Sequence, residues 1–119
     1  MLLVTQKIDD GAPRTAVEVR LRAAELAVQE YPDDAQAWVL LGAAQVDAED
    51  YRQAISTLQD VVNRDSDVFQ AWYHLGVAYE RMKDTNEAIE MYERAVELAQ
   101  TARDEEVQRL LSNGVTTEV

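Results

Sequence analysis

The chain has 119 residues, enough for one domain with a modest core. Its 23 acidic side chains against 11 basic ones give a net charge of −12, a field that repels phosphate backbones and anionic lipid and argues against nucleic-acid or membrane partners. The absence of cysteine excludes disulfides and thiolate chemistry, fitting a reducing, cytoplasmic setting, and no apolar run approaches the ~18 residues that would span a bilayer.

The first twelve residues carry no helical period. Met1-Leu2-Leu3-Val4 is too short for a signal-peptide core, and Asp9-Asp10-Gly11-Ala12 reads as a turn. Pro13, well placed at a first helical position, opens a helix through Leu21, Ala24, Ala27 and Val28 to Tyr31, where Pro32 stops it. Helix pairs are then predicted over 34–48 with 51–64 and over 68–82 with 85–99. A final helix over 101–113 is opened by Thr101/Asp104 and closed by Asn113-Gly114. It either stands alone or continues its predecessor, because Gln100-Thr101-Ala102-Arg103 contains no breaker. Residues 115–119 are expected to fray. The expectation is therefore an irregular segment 1–12 and a single all-α domain over 13–114 with about six helices.

A regular spacing organises these helices. Asp33, Asp50, Asp67 and Asp84 recur at one constant interval, with Thr101 next in line, and each is followed three positions later by Gln, Glu or Asp. That is the spacing of a capping box, in which a side-chain oxygen accepts from a first-turn N–H and the third residue reaches back. Two such intervals make one repeat, and laying 35–68 over 69–102 gives ten identities. Trp38, Leu41 and Ala44 make one apolar stripe, repeated as Trp72, Leu75 and Ala78. Gly42 and Gly76 sit on that stripe. A mid-helix glycine costs about 0.5–1 kcal/mol relative to alanine, so close approach of the second helix is expected, with Ala54 or Ala88 as its small partner.

These residues resemble the tetratricopeptide repeat. The first full repeat (35–68) supplies Trp38, Leu41-Gly42, Ala54 and Leu58; the second (69–102) supplies Trp72, Leu75-Gly76, Tyr79, Ala88, Tyr92 and Ala95. Ala27 and Pro32 resemble the end of a preceding half-repeat over 13–31, and 101–113 would then be a capping helix. Departures are Gln45 in place of an aromatic, Val61 in place of the late Ala, and Ser66 and Gln100 where Pro is usual. The resemblance implies a right-handed superhelix of antiparallel helix hairpins whose first helices line a concave groove.

Carried over position by position, the groove candidates are Gln36, Val39, Leu40, Ala43, Val46 and Asp47, with Gln70, Tyr73, His74, Val77, Glu80 and Arg81 from the second repeat. Helical geometry places Val39, Ala43 and Val46 off the Trp38/Leu41/Ala44 stripe, as a second apolar face. The resemblance also implies function: a noncatalytic protein–protein interaction module binding a peptide or amphipathic helix. The family's clamp for acidic peptide tails needs Lys, Asn and Arg where this chain has Val39, Ala43, Tyr73 and His74, so an apolar or mildly basic partner fits better. Self-association as a homo-oligomer, or membership of a longer repeat scaffold, is the alternative.

No catalytic or cofactor site is expected. His74 is the only histidine, so it has neither the second His or Cys a metal needs nor the partners of a nucleophilic triad. Glu87, Glu90, Glu93 and Glu97 read as a solvated helix face.

Overall fold

The structure, a computed structural model, describes residues 14–113. Among them the backbone forms five helices and no strand: α1 (Ala16–Glu30), α2 (Ala35–Asp47), α3 (Tyr51–Arg64), α4 (Phe69–Arg81) and α5 (Thr85–Ser112). Each helix packs on the next, and α2 also meets α4, so α2–α3 and α4–α5 are hairpins stacked side by side with α1 against the first. The segments 1–12 and 115–119, together with Pro13 and Gly114, lie outside the described residues.

The count is five because the segment 101–113 is no separate helix. α5 runs unbroken for 28 residues, about 42 Å at 1.5 Å per residue, against 13 residues in α4. Thr101 sits inside it, its hydroxyl donating to the Glu97 carbonyl at 3.0 Å, the back-bond a helix-interior threonine makes. The distal half of α5 therefore overhangs the hairpin, with its side chains exposed apart from a half-buried Leu110.

The evenly spaced aspartates mark two different kinds of turn. At the turns inside hairpins, Glu49 and Lys83 adopt positive φ of 64° and 68°. Their N–H groups return to Val46 and Glu80, while those of Asp50 and Asp84 return to Gln45 and Tyr79, the paired bonds of a Schellman C-cap. Asp50 and Asp84 thus finish one helix and begin the next, and their N–H groups are taken, so no capping box closes back on them. Asp50 still accepts from Gln53 N–H at 3.4 Å, whereas Asp84 makes no side-chain cap bond. At the turns between hairpins the cap slips by one position. Asp34, not Asp33, caps α2 by accepting from Gln36 N–H, and Val68, not Asp67, precedes α4. A further cap stands outside the spacing: Thr15 accepts from Glu18 N–H at 3.1 Å and opens α1.

Packing divides α2 into four faces. Trp38, Gly42 and Gln45 face α3; Leu41 and Ala44 meet Ala24 of α1; Val39 and Val46 pack towards α4, Val39 beside Ala71 and Leu75 and Val46 beside Ala78. Only Gln36, Leu40, Ala43 and Asp47, at i, i+4, i+7 and i+11, are left over. Trp38 joins the clusters on either side of it, and its indole N–H donates to the Pro32 carbonyl at 2.7 Å; Trp72 repeats the bond to Ser66 at 2.8 Å.

The glycines meet large residues, not the expected alanines. A Cβ on Gly42 would lie 2.5 Å from Leu58, and one on Gly76 would lie 2.6 Å from the Tyr92 ring. Ala54 and Ala88 are buried, Ala54 in the cluster with Val46 and Ala78. Gln45, which replaces an aromatic, is matched across the hairpin: Thr57 Oγ1 donates to its Oε1 at 2.8 Å, where the second hairpin has Tyr79 and Met91.

Two expectations follow for stability. Leu58 is fully buried and cannot withdraw, so Gly42→Ala should cost roughly 1–3 kcal/mol by overpacking. Gly76→Ala should cost less, because the half-buried Tyr92 is freer to swing outward than Leu58; urea unfolding of both variants measures the difference, and equal costs would refute the crossing geometry. At the strained C-caps, Lys83→Gly should raise stability by roughly 1 kcal/mol, the low end of the left-handed penalty for a side-chain-bearing residue, and Lys83→Val should lower it.

Candidate functional site

The face of α2 that no other described helix covers is mixed in chemistry. Leu40 is 52% exposed in the middle of a helix whose other large apolar residues are buried or half-buried. Ala43 beside it is half-buried, and Asp47 lies exposed at the last turn. A carboxylate there faces the negative end of the helix dipole, an unfavourable place. It is compensated from α1: Arg20 Nε lies 3.5 Å from Asp47 Oδ2. Both side chains are about half exposed, so this pair adds little stability and mainly sets the charge pattern of the face.

The same face continues on α4 as Gln70, His74, Val77 and Arg81, each one full repeat beyond Gln36, Leu40, Ala43 and Asp47. His74 is half-buried and stands edge-on to Tyr73, ring centroids 5.1 Å apart. Burial holds the His74 pKa below its ordinary value, and the Asp47 carboxylate pulls it partly back. Arg20, Asp47 and His74 thus form a polar line across three helices, bordered by Leu40, Ala43 and Val77.

The structure separates the twelve sequence candidates. Gln36, Leu40, Ala43, Asp47, Gln70, His74, Val77 and Arg81 share the uncovered face. Val39 and Val46 do not: at 5% and 3% exposure they are buried towards the second hairpin, and no ligand could touch them without unstacking it. A single helix read alone shows two apolar faces, but not that the next repeat covers one of them. Their counterparts Tyr73 and Glu80 occupy that same stacking register at the far side of the second hairpin, where they are exposed.

Arg20 was missed from the sequence, yet it left a signal. It stands one full repeat before Ala54, where both complete repeats carry a small buried alanine. The sequence marks Tyr92 only as core; its hydroxyl donates to Glu80 Oε1 at 2.6 Å, and burial together with that bond pushes its pKa well up. A separate cavity of about 250 Å³ lies between the α1–α2 turn and α3, lined by Trp38, Thr57, Val61 and Arg64 among others, away from the uncovered face. No described helix is long and apolar enough to cross a membrane. Among the described residues no group of three or more His, Cys, Asp or Glu is placed to hold a metal ion.

Comparison with known proteins follows the same division. Tetratricopeptide repeat profiles match residues 36–67 and 69–101, together more than half of the chain. A solved structure titled "Crystal structure of MamA" is similar at 27% identity with a TM-score of 0.58, covering 66% of this chain and 46% of that one, so the chain spans less than half of that structure's length. No curated protein matches the sequence.

The placement of His74 has a pH consequence. Its folded pKa lies below that of the unfolded chain, so the unfolded state takes up the proton first and stability is lost as pH falls through about 6.5. Thermal unfolding between pH 7.5 and 5 should show wild type losing stability relative to His74→Gln, and parallel pH profiles would contradict the burial of this ring.

Proposed function

The chain belongs to the tetratricopeptide repeat family, and from that premise we propose that it is a noncatalytic protein-interaction module. It holds a peptide or amphipathic helix along the uncovered face of α2 and α4. The observation that carries this is Leu40: a large apolar side chain, half exposed, on the face of α2 that the described residues leave free. Half-buried Ala43 and Val77 extend the apolar strip, and Arg20, Asp47, His74 and Arg81 provide polar register along it. Burying one leucine-sized contact is worth roughly 1.5–3 kcal/mol before ordering costs, so a few such contacts support reversible binding.

The charge of the face and of the whole chain points to the ligand class. With net charge −12, an apolar segment carrying some positive charge is attracted over distance and an acidic tail is repelled. An amphipathic helix reading its anchors at i, i+3 and i+7 suits the strip.

The test is an NMR titration of the labelled chain with amphipathic peptides of matched hydrophobicity and graded charge. A mildly basic peptide should shift the amides of Leu40, Ala43, His74 and Val77, and Leu40→Glu should weaken it at least tenfold, the equivalent of about 1.4 kcal/mol, without loss of helicity. Shifts confined to α3, or binding indifferent to Leu40→Glu, would remove the groove from consideration.

A further inference from the structure

The second hairpin carries on its far side the stacking surface that the first hairpin uses internally, and that surface stands open. Within the array, α4 covers Val39 of α2 and Val62 of α3, each 5% exposed, and packs beside half-buried Ile55. One repeat further on, Tyr73 is 50% exposed, Val96 56% and Ile89 49%. Phe69, the counterpart of Ala35, adds a further exposed ring. The overhanging half of α5 does not fold back over them, since the helix continues straight through Thr101. No described residue covers this face, and beside Val96 there is a surface depression of about 350 Å³ lined by Tyr92, Glu93 and Glu97.

What fits here can be read from what fits inside. The helix that covers a hairpin presents one stripe to it: Ala37, Leu41 and Ala44 on α2 towards α1, and Ala71, Leu75 and Ala78 on α4 towards the first hairpin, all buried. Leu41 and Ala44 are the residues that meet Ala24 of α1, and Ala37 is buried one turn before them, so the buried stripe is small, large, small at i, i+4 and i+7. The open face differs from the internal one in charge: Glu93 stands where the first hairpin has Gln59, Glu97 where it has Asn63 and Glu80 where it has Val46; Arg94, in place of Asp60, pairs with Glu97 at 3.3 Å and Tyr92 donates to Glu80, so Glu93 is the acidic group of this rim that those two contacts leave untouched.

We propose that this face docks a helix from a basic partner protein, one bearing an Ala-x3-Leu-x2-Ala stripe flanked by Lys or Arg, which stacks on the α4–α5 hairpin as α4 stacks on α2–α3. A second copy of the chain does not fit this description. Both of its own Ala-x3-Leu-x2-Ala stripes are already buried, and it would bring a further net charge of −12 to an acidic rim. The site is distinct from the strip around Leu40, so each stands or falls separately.

The probe is a synthetic peptide of about four helical turns, long enough to carry the whole stripe, with Lys at the flanking positions. It is titrated by fluorescence anisotropy into the full chain. It should bind wild type, lose at least tenfold in affinity to Ile89→Asp/Val96→Asp, and be insensitive to Leu40→Glu. A peptide with Glu for Lys should bind at least tenfold more weakly. Because Ile89 and Val96 are exposed, the double variant should keep wild-type helicity and thermal midpoint; a single Glu93→Lys change, expected to weaken the Lys peptide severalfold, tests the charge term without touching the apolar face. Binding unaffected by Ile89→Asp/Val96→Asp, binding lost in Leu40→Glu, or a dimer in light scattering that Val96→Asp dissolves would each overturn the proposal.

Discussion

The indole N–H of each tryptophan, donating to a carbonyl six positions back, holds this structure in register. Trp38 ties α2 to the start of the α1–α2 turn, and Trp72 ties α4 to the turn after α3. Each ring is also packed into the apolar clusters between neighbouring helices, so one side chain fixes both where the turn sits and how the next hairpin leans. A buried indole without a partner would leave its donor unsatisfied at a cost of about 1–3 kcal/mol. A turn carbonyl without the indole would leave the inter-hairpin angle to the loose turn alone. Which faces are covered and which stay open depends on this repeated bond.

From that geometry follows a simple allocation of side chains. In a stacked array each first helix has a hairpin partner, a preceding neighbour, a following neighbour and one remaining face. Glycine at positions 42 and 76 lets the hairpin partner approach with a large residue, Leu58 or Tyr92, rather than a small one. The alanine–leucine–alanine stripe serves the preceding neighbour. Val39 and Val46 serve the following one, α4. On α2 only the last face is left uncovered by the described helices, and along it the polar line from Arg20 through Asp47 to His74 is set by contributions from three separate helices.

The hairpins themselves were legible in the sequence because the residues that build them are local: turns, caps and period lie within a few positions of one another. The aspartate at 50 signals its own turn directly. Those at 33 and 67 do not, because in the inter-hairpin turns one more residue intervenes before the helix begins, and spacing alone cannot distinguish the two kinds of turn. Thr101 shared the spacing but had no breaker near it, and helix propensity carried α5 past it. The uncovered face was legible only in part. Leu40, Ala43, His74 and Val77 could be placed by the resemblance, position by position, but excluding Val39 and Val46 required knowing what lies beside them in space, a contact made across nearly a whole repeat of sequence. Arg20 was visible only as a misfit in the register of Ala54.

The hydrogen-bonded pair Gln45–Thr57 makes the two repeats less alike than their identities suggest. Paired with α5, α2 would set the Gln45 amide against the thioether of Met91, a poor partner for it. Paired with α3, α4 would crowd Tyr79 against the Thr57 hydroxyl and strip that hydroxyl of its acceptor. Helices from the two repeats are therefore not interchangeable, although the even count of positions makes them look so. The transferable unit is the whole hairpin, cut at 34 and 68. A repeat array grown or shortened by moving such units keeps its interior chemistry intact, whereas a recombination that breaks within a hairpin brings a mismatch at its centre.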